Sequence, residues 1–75
     1  MARQTRQLVV CLKNEGYEVS LERRKIYVAL SDNSAAKRRL RRVIDESGDD
    51  YLYPREFFAE VELPPSIRRA VLTTA

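Results

Sequence analysis

Arg42-Val-Ile-Asp-Glu-Ser-Gly-Asp-Asp-Tyr-Leu-Tyr-Pro-Arg-Glu-Phe-Phe-Ala-Glu-Val-Glu-Leu63 holds more structural information than any other part of this chain. Val43-Ile44 and Tyr51-Leu52-Tyr53 are short β-prone runs separated by Glu46–Asp49, a polar segment that contains Gly48. Glycine takes positive φ at low steric cost, so the segment reads as a hairpin turn. Pro54 follows at once. Proline lacks an N–H and is poor in a central strand, so it marks a corner. Ala59–Leu63 then reads as a last strand, ended by Pro64 and Pro65. These pieces are the back half of a small, curled antiparallel sheet.

Upstream, the apolar alternation predicts two more strands. In Gln7–Lys13, Leu8, Val10 and Leu12 share one face, and Val9 and Cys11 share the other. A strand apolar on both faces is expected to be covered on both. In Lys25–Leu30, Ile26, Val28 and Leu30 alternate with Tyr27 and Ala29. Gly16, in Asn14-Glu15-Gly16-Tyr17, is a second turn centre. With strands at about Leu40–Glu46, Tyr51–Tyr53 and Ala59–Leu63, the pattern is that of a small barrel or sandwich. Past the prolines, Pro64–Thr73 reads as a short helix. Ile67, Ala70 and Val71 make an apolar stripe at i, i+3, i+4. So short a helix is marginal alone and must dock, on its own sheet or on a partner.

One segment is read differently by two rules. Ala35-Ala-Lys-Arg-Arg-Leu-Arg-Arg-Val-Ile44 is rich in helix formers, with Asp32, Asn33 or Ser34 as caps and Gly48 as a stop. Yet Asp45 and Glu46 would sit at the negative end of that helix. Val43-Ile44 also faces Tyr51-Leu52-Tyr53 across a tight turn. Periodicity alone leaves both alternatives open.

Size and composition narrow the chemistry. Seventy-five residues make one small domain, whose core stabilises by about 3–5 kcal/mol net. There is no histidine and a single cysteine, Cys11. That pair of facts argues against a zinc site and an internal disulfide. Cys11 lies in the apolar run Leu8–Leu12 and reads as a buried small hydrophobe. No cofactor loop or nucleophile–base pair is visible, so the expectation is that the chain is not an enzyme and takes no cofactor. No run approaches the roughly 20 apolar residues of a membrane span, nor the roughly 7–15 of a signal-peptide core. A cytoplasmic protein is therefore expected, with no membrane partner. The net charge of +3 is mildly basic and does not by itself imply nucleic acid.

Gly48-Asp-Asp-Tyr-Leu-Tyr-Pro-Arg-Glu-Phe-Phe-Ala-Glu-Val61 resembles the end of an SH3-type barrel. There a hairpin strand runs into proline, a short turn carrying an aromatic, and a last strand. The matching positions are Tyr53, Pro54, Phe57 and Val61. More widely, Cys11-Leu-Lys-Asn14, Ser20-Leu21 with Lys25-Ile-Tyr27, Val43-Ile-Asp45, Ser47-Gly48, Tyr51-Leu-Tyr-Pro54 and Phe58 resemble a pattern in small uncharacterised bacterial and phage proteins with SH3-like folds. The resemblance implies an all-β, five-stranded antiparallel barrel over about residues 7–63 with a C-terminal helix over about 64–73. It also resolves the ambiguous segment as a helical turn near 34–39 followed by a strand. It implies no settled activity. The chain departs from SH3 peptide receptors in having no tryptophan and no aromatic in Leu8–Leu12, which argues against polyproline binding.

Two candidate surfaces follow. The leading expectation is a non-catalytic interaction module, binding a protein or a second copy of itself, with Ile67, Val71 and Leu72 of the tail as the apolar contact. The alternative is weak, sequence-independent nucleic-acid binding through Lys37, Arg38, Arg39, Arg41 and Arg42, helped by Arg3 and Arg6. If Leu40–Glu46 is a strand, Arg41 and Arg42 leave opposite faces, and only part of the run can meet one ligand. The bland reading of the same run is a solvated edge whose charges deter aggregation. Tyr27, Tyr51, Tyr53, Phe57 and Phe58 read as core and core-rim aromatics rather than a stacking platform. Asp45, Glu46, Asp49 and Asp50 do not have calcium-loop spacing and read as ordinary turn carboxylates.

Overall fold

A computed structural model describes residues 6–74. Its elements are β1 (Arg6–Cys11), β2 (Ile26–Leu30), α1 (Asn33–Lys37), β3 (Leu40–Ile44), β4 (Asp50–Pro54), a 3-10 turn (Arg55–Phe57), β5 (Phe58–Glu60) and α2 (Pro65–Thr74). The strands form one antiparallel sheet in the order β4-β3-β2-β1-β5. Among the described strands no ladder joins β4 to β5, so the sheet is open on that side.

Both halves of the contested segment exist. Asp32 caps α1 by accepting the Ala35 N–H at 3.0 Å, and the helix stops after Lys37. Arg39 then takes φ 59°, the left-handed geometry that turns the chain out of a helix. Leu40–Ile44 goes on to pair with both β2 and β4. Gly16 and Gly48 sit at φ 85° and 89°, as their turn positions require. The last strand differs from expectation: it is Phe58–Glu60, not Ala59–Leu63. Past Glu60 a lone bond continues to β1, from the Val61 N–H to the Leu8 carbonyl at 2.9 Å, before the prolines end the element.

One face of the sheet carries the core: Val9, Cys11, Tyr27, Ala29, Val43 and Tyr53, joined by Phe57 from the 3-10 turn and Leu21 from the β1–β2 connection. The aromatics meet edge to face, Tyr17 on Tyr53 at 5.0 Å and on Phe57 at 5.9 Å between centroids. On the opposite face Leu8 and Val28 are paired across β1 and β2, and both are buried. β1 is thus covered along its core face and, at Leu8, on the other; farther along that second face Leu12 keeps 52% of its surface exposed, so the two-sided apolar pattern is met only in part. α2 is mostly exposed and approaches this second face through Arg68 and Val71. Val71 borders a cavity of about 440 Å³ with Ile26, Val28 and Ile44, and the Arg68 guanidinium donates to the Arg6 carbonyl.

The β3–β4 turn is built around Asp45, which is buried. Its carboxylate accepts the Ser47 N–H at 2.9 Å, the Ser47 hydroxyl at 2.5 Å and the Tyr53 hydroxyl at 2.5 Å. Next to it, Glu46 accepts from Lys25 at 2.6 Å and from the Tyr27 hydroxyl at 2.5 Å. These carboxylates tie the hairpin to the core tyrosines.

Candidate functional site

The basic run splits between two surfaces, because Arg41 pairs with Tyr53 in the β3–β4 register and Arg42 with Leu52. Arg42 is consumed within the fold. Its guanidinium donates to Asp32 at 2.8 Å and to Asp50 at 3.1 Å, and these bonds push it above its ordinary range. Asp32 is correspondingly held below the usual carboxylate range, by the Ala35 N–H first and then by Arg42. Arg41 leaves the other face and donates to the Gln7 side-chain oxygen. Lys37, on α1, and Arg38, just past it, are exposed. Arg6 is exposed at the start of β1, and Arg3 lies outside the described residues.

Arg39 and Arg55 are brought together by the backbone. The Arg55 N–H donates to the Arg39 carbonyl at 3.0 Å, which pins the Pro54 corner against the α1–β3 link. Between them a groove of about 560 Å³ is lined by Arg39, Pro54, Arg55, Glu56 and Phe58. A second hollow of about 420 Å³ shares Arg55 and Phe58 with it and adds Val9, Ala36, Leu40, Arg41 and Glu60. This double groove lies at the open side of the sheet. Both hollows are lined by the half-buried Phe58, and their cations are Arg39, Arg41 and Arg55. Among the described residues no carboxylate stands within ion-pair distance of any of these, or of Lys37 or Arg38.

The left-handed backbone at Arg39 makes a stability test possible. For an L-residue this geometry costs roughly 1–2 kcal/mol, and glycine is free of that cost while losing about 0.5–1 kcal/mol of its own chain entropy. Arg39→Gly is therefore expected to be as stable as the parent chain, or more stable by up to about 1 kcal/mol. Urea denaturation checks it; a clear drop in midpoint would show that the Arg39 side chain, not its backbone, supports the fold.

The tail places its three candidate residues unequally. Val71 and Leu72 are half-buried against the protein itself, whereas Ile67 keeps 51% of its surface exposed. Of the aromatics, Tyr27, Tyr53 and Phe57 are buried, Phe58 is half-buried, and Tyr51 is 52% exposed. Cys11 is buried, and burial pushes its thiol up. Among the described residues no group of histidine, cysteine, aspartate and glutamate side chains is placed to hold a metal ion. Among the described residues no helix is long and apolar enough to cross a membrane.

Arg55 and Phe58 do not stand out as site residues in the sequence. Their role arises from a backbone bond between distant segments, for which spacing carries no signal. No known protein family, curated protein or solved structure matches the chain.

Proposed function

We propose that this protein is a non-catalytic interaction module on an SH3-like barrel, and that it takes a protein partner in the groove around Phe58. The barrel reading is supported by the strand order together with the 3-10 turn after Pro54. The binding reading rests on one observation: Arg39, Arg41 and Arg55 line two hollows that share the half-buried Phe58, with no carboxylate paired to them among the described residues. Cations with no carboxylate partner beside an aromatic side chain offer a partner both charge and buried area.

Self-association through the tail is the weaker form of this reading, because Val71 and Leu72 already face their own chain. Nucleic-acid binding is favoured by the same cations. It is weakened by the loss of Arg42 to Asp32 and Asp50, and by Glu56 and Glu60 in the groove wall.

The test is selection from a displayed library of random peptides on the full chain, followed by rebinding to Arg39→Gly and Arg55→Glu. Selected peptides are expected to bind Arg55→Glu roughly tenfold or more weakly, and Arg39→Gly less tightly than the parent. Peptides that bind both variants as they bind the parent chain would remove the groove from the proposal.

A further inference from the structure

We infer that the partner binds as an extended acidic segment, adding a strand to the free edge of β5. This rests on the groove being the binding site, and goes further by stating the shape and charge of what fills it.

The backbone parity of β5 is set by two bonds that bracket it. The Leu12 N–H donates to the Phe57 carbonyl at 2.7 Å, and the Val61 N–H to the Leu8 carbonyl at 2.9 Å. The pairing of Val10 with Ala59 falls midway between them. Backbone groups alternate along a strand, so Phe57, Ala59 and Val61 turn theirs toward β1, and Phe58 and Glu60 turn theirs away. The Phe58 N–H is used by the Arg55 carbonyl, which closes the 3-10 turn. The Phe58 carbonyl and the Glu60 N–H and carbonyl remain directed outward. Beside them run the hollows lined by Arg39, Arg41 and Arg55.

An unpaired edge of this kind is a template for a further strand. The charge beside it selects which strand. Arg39, Arg41 and Arg55 outnumber Glu56 and Glu60, and among the described residues no carboxylate is ion-paired with these arginines. The occupant is therefore acidic. It is a peptide rather than a nucleic acid, because two outward carbonyls need donors. A peptide presents an N–H at every second residue, whereas a phosphodiester backbone presents none. Phe58 and Glu60 share a face of β5 with Cys11 and Val9 opposite them, the face that carries the core and opens into the groove. Residues of an added strand whose N–H groups meet Phe58 and Glu60 then point their side chains into that groove. Amide bonding and charge contact fall on the same alternate residues.

The probe is a short acetylated peptide of alternating glutamate and threonine, titrated into the isotope-labelled full chain and followed by NMR. Shifts are expected to centre on Phe58–Glu60 and Arg55, with slower exchange of the Glu60 amide. N-methylation of the glutamate amides should weaken binding by roughly tenfold or more for each bond lost, and N-methylation of the threonine amides should leave it intact. A lysine-threonine peptide should not bind. Absence of shifts at Phe58–Glu60, or equal binding of the two methylated peptides, overturns strand addition. Tighter binding by single-stranded oligothymidylate at the same residues overturns the peptide assignment. If acidic peptides fail but library-selected peptides still bind in an Arg55-dependent way, this inference falls and the interaction-module reading stands; if neither binds, both fall.

Discussion

Phe57→Ala is expected to leave the protein largely unfolded, or close to its unfolding midpoint, at room temperature. The ring is 8% exposed and joins the core cluster from the 3-10 turn, with Tyr17 packed edge-on against it. Truncating a buried phenylalanine costs about 3–5 kcal/mol, through lost transfer energy and the cavity left behind. A domain this small has a net stability of about the same size. Phe58 also packs on the core, edge-on to Tyr53, but it is only half-buried and buries less of its ring. Phe58→Ala is accordingly expected to fold, with a loss well under that of Phe57→Ala. Circular dichroism in a urea gradient distinguishes the two. Equal, small losses for both would mean that Phe57 does not anchor the core.

Asp45→Ala comes second, with an expected loss of about 2–4 kcal/mol at neutral pH. The carboxylate is buried and accepts three bonds, and hydrogen bonds to a charged group are worth about 1.5–3 kcal/mol each before rearrangement. The substitution also removes the carboxylate acceptor of the buried Tyr53 hydroxyl. The same residue makes the protein sensitive to acid. Burial alone would raise its pKa, but the bonds from the Ser47 hydroxyl, the Tyr53 hydroxyl and the Ser47 N–H outweigh burial and hold it below the usual range. Glu46 is lowered too, by Lys25 first and then by Tyr27. A carboxyl whose folded pKa lies below its unfolded value adds stability above the unfolded value, about 4, and loses it as pH falls through the folded one. Stability should therefore fall off below about pH 4. The gap between the parent chain and Asp45→Asn should narrow over the same range. A gap that stays constant into strong acid would show that the ionised carboxylate is not its source.

Much of this fold can be read from alternation and punctuation. The two-sided apolar pattern of β1, the alternation of β2 and the Gly48 and Pro54 signals all correspond to observed elements, since each depends on local chemistry. The limits of α1 and the start of β3 are different. Ala35–Ile44 has helical propensity throughout, and what overrides it is the pairing of Val43 and Ile44 with strands on both sides. A tertiary demand of that kind leaves only a faint local trace, here the left-handed turn at an arginine. The groove was even less visible. Arg39 stood within a conspicuous basic run, but nothing local distinguished it from Arg42, which the fold neutralises with Asp32 and Asp50. Arg55 belonged to no run at all. The role of Asp45 did have a signal, the Asp-x-Ser-Gly turn, whose side chain and hydroxyl suit reciprocal bonding.

The lone thiol makes the chain its own clock. Cys11 is 0% exposed in the central layer of the core, donates to the Lys13 carbonyl at 3.2 Å, and has no second cysteine to compete with it. A thiol reagent can reach it only when β1 parts from its neighbours. At high reagent concentration, where labelling outpaces reclosing, the rate counts openings that expose Cys11; at low concentration it reports the population of the open form. Because β1 bridges β2 and β5, that single rate also reports whether a ligand laid along the β5 edge steadies the strand on its far side.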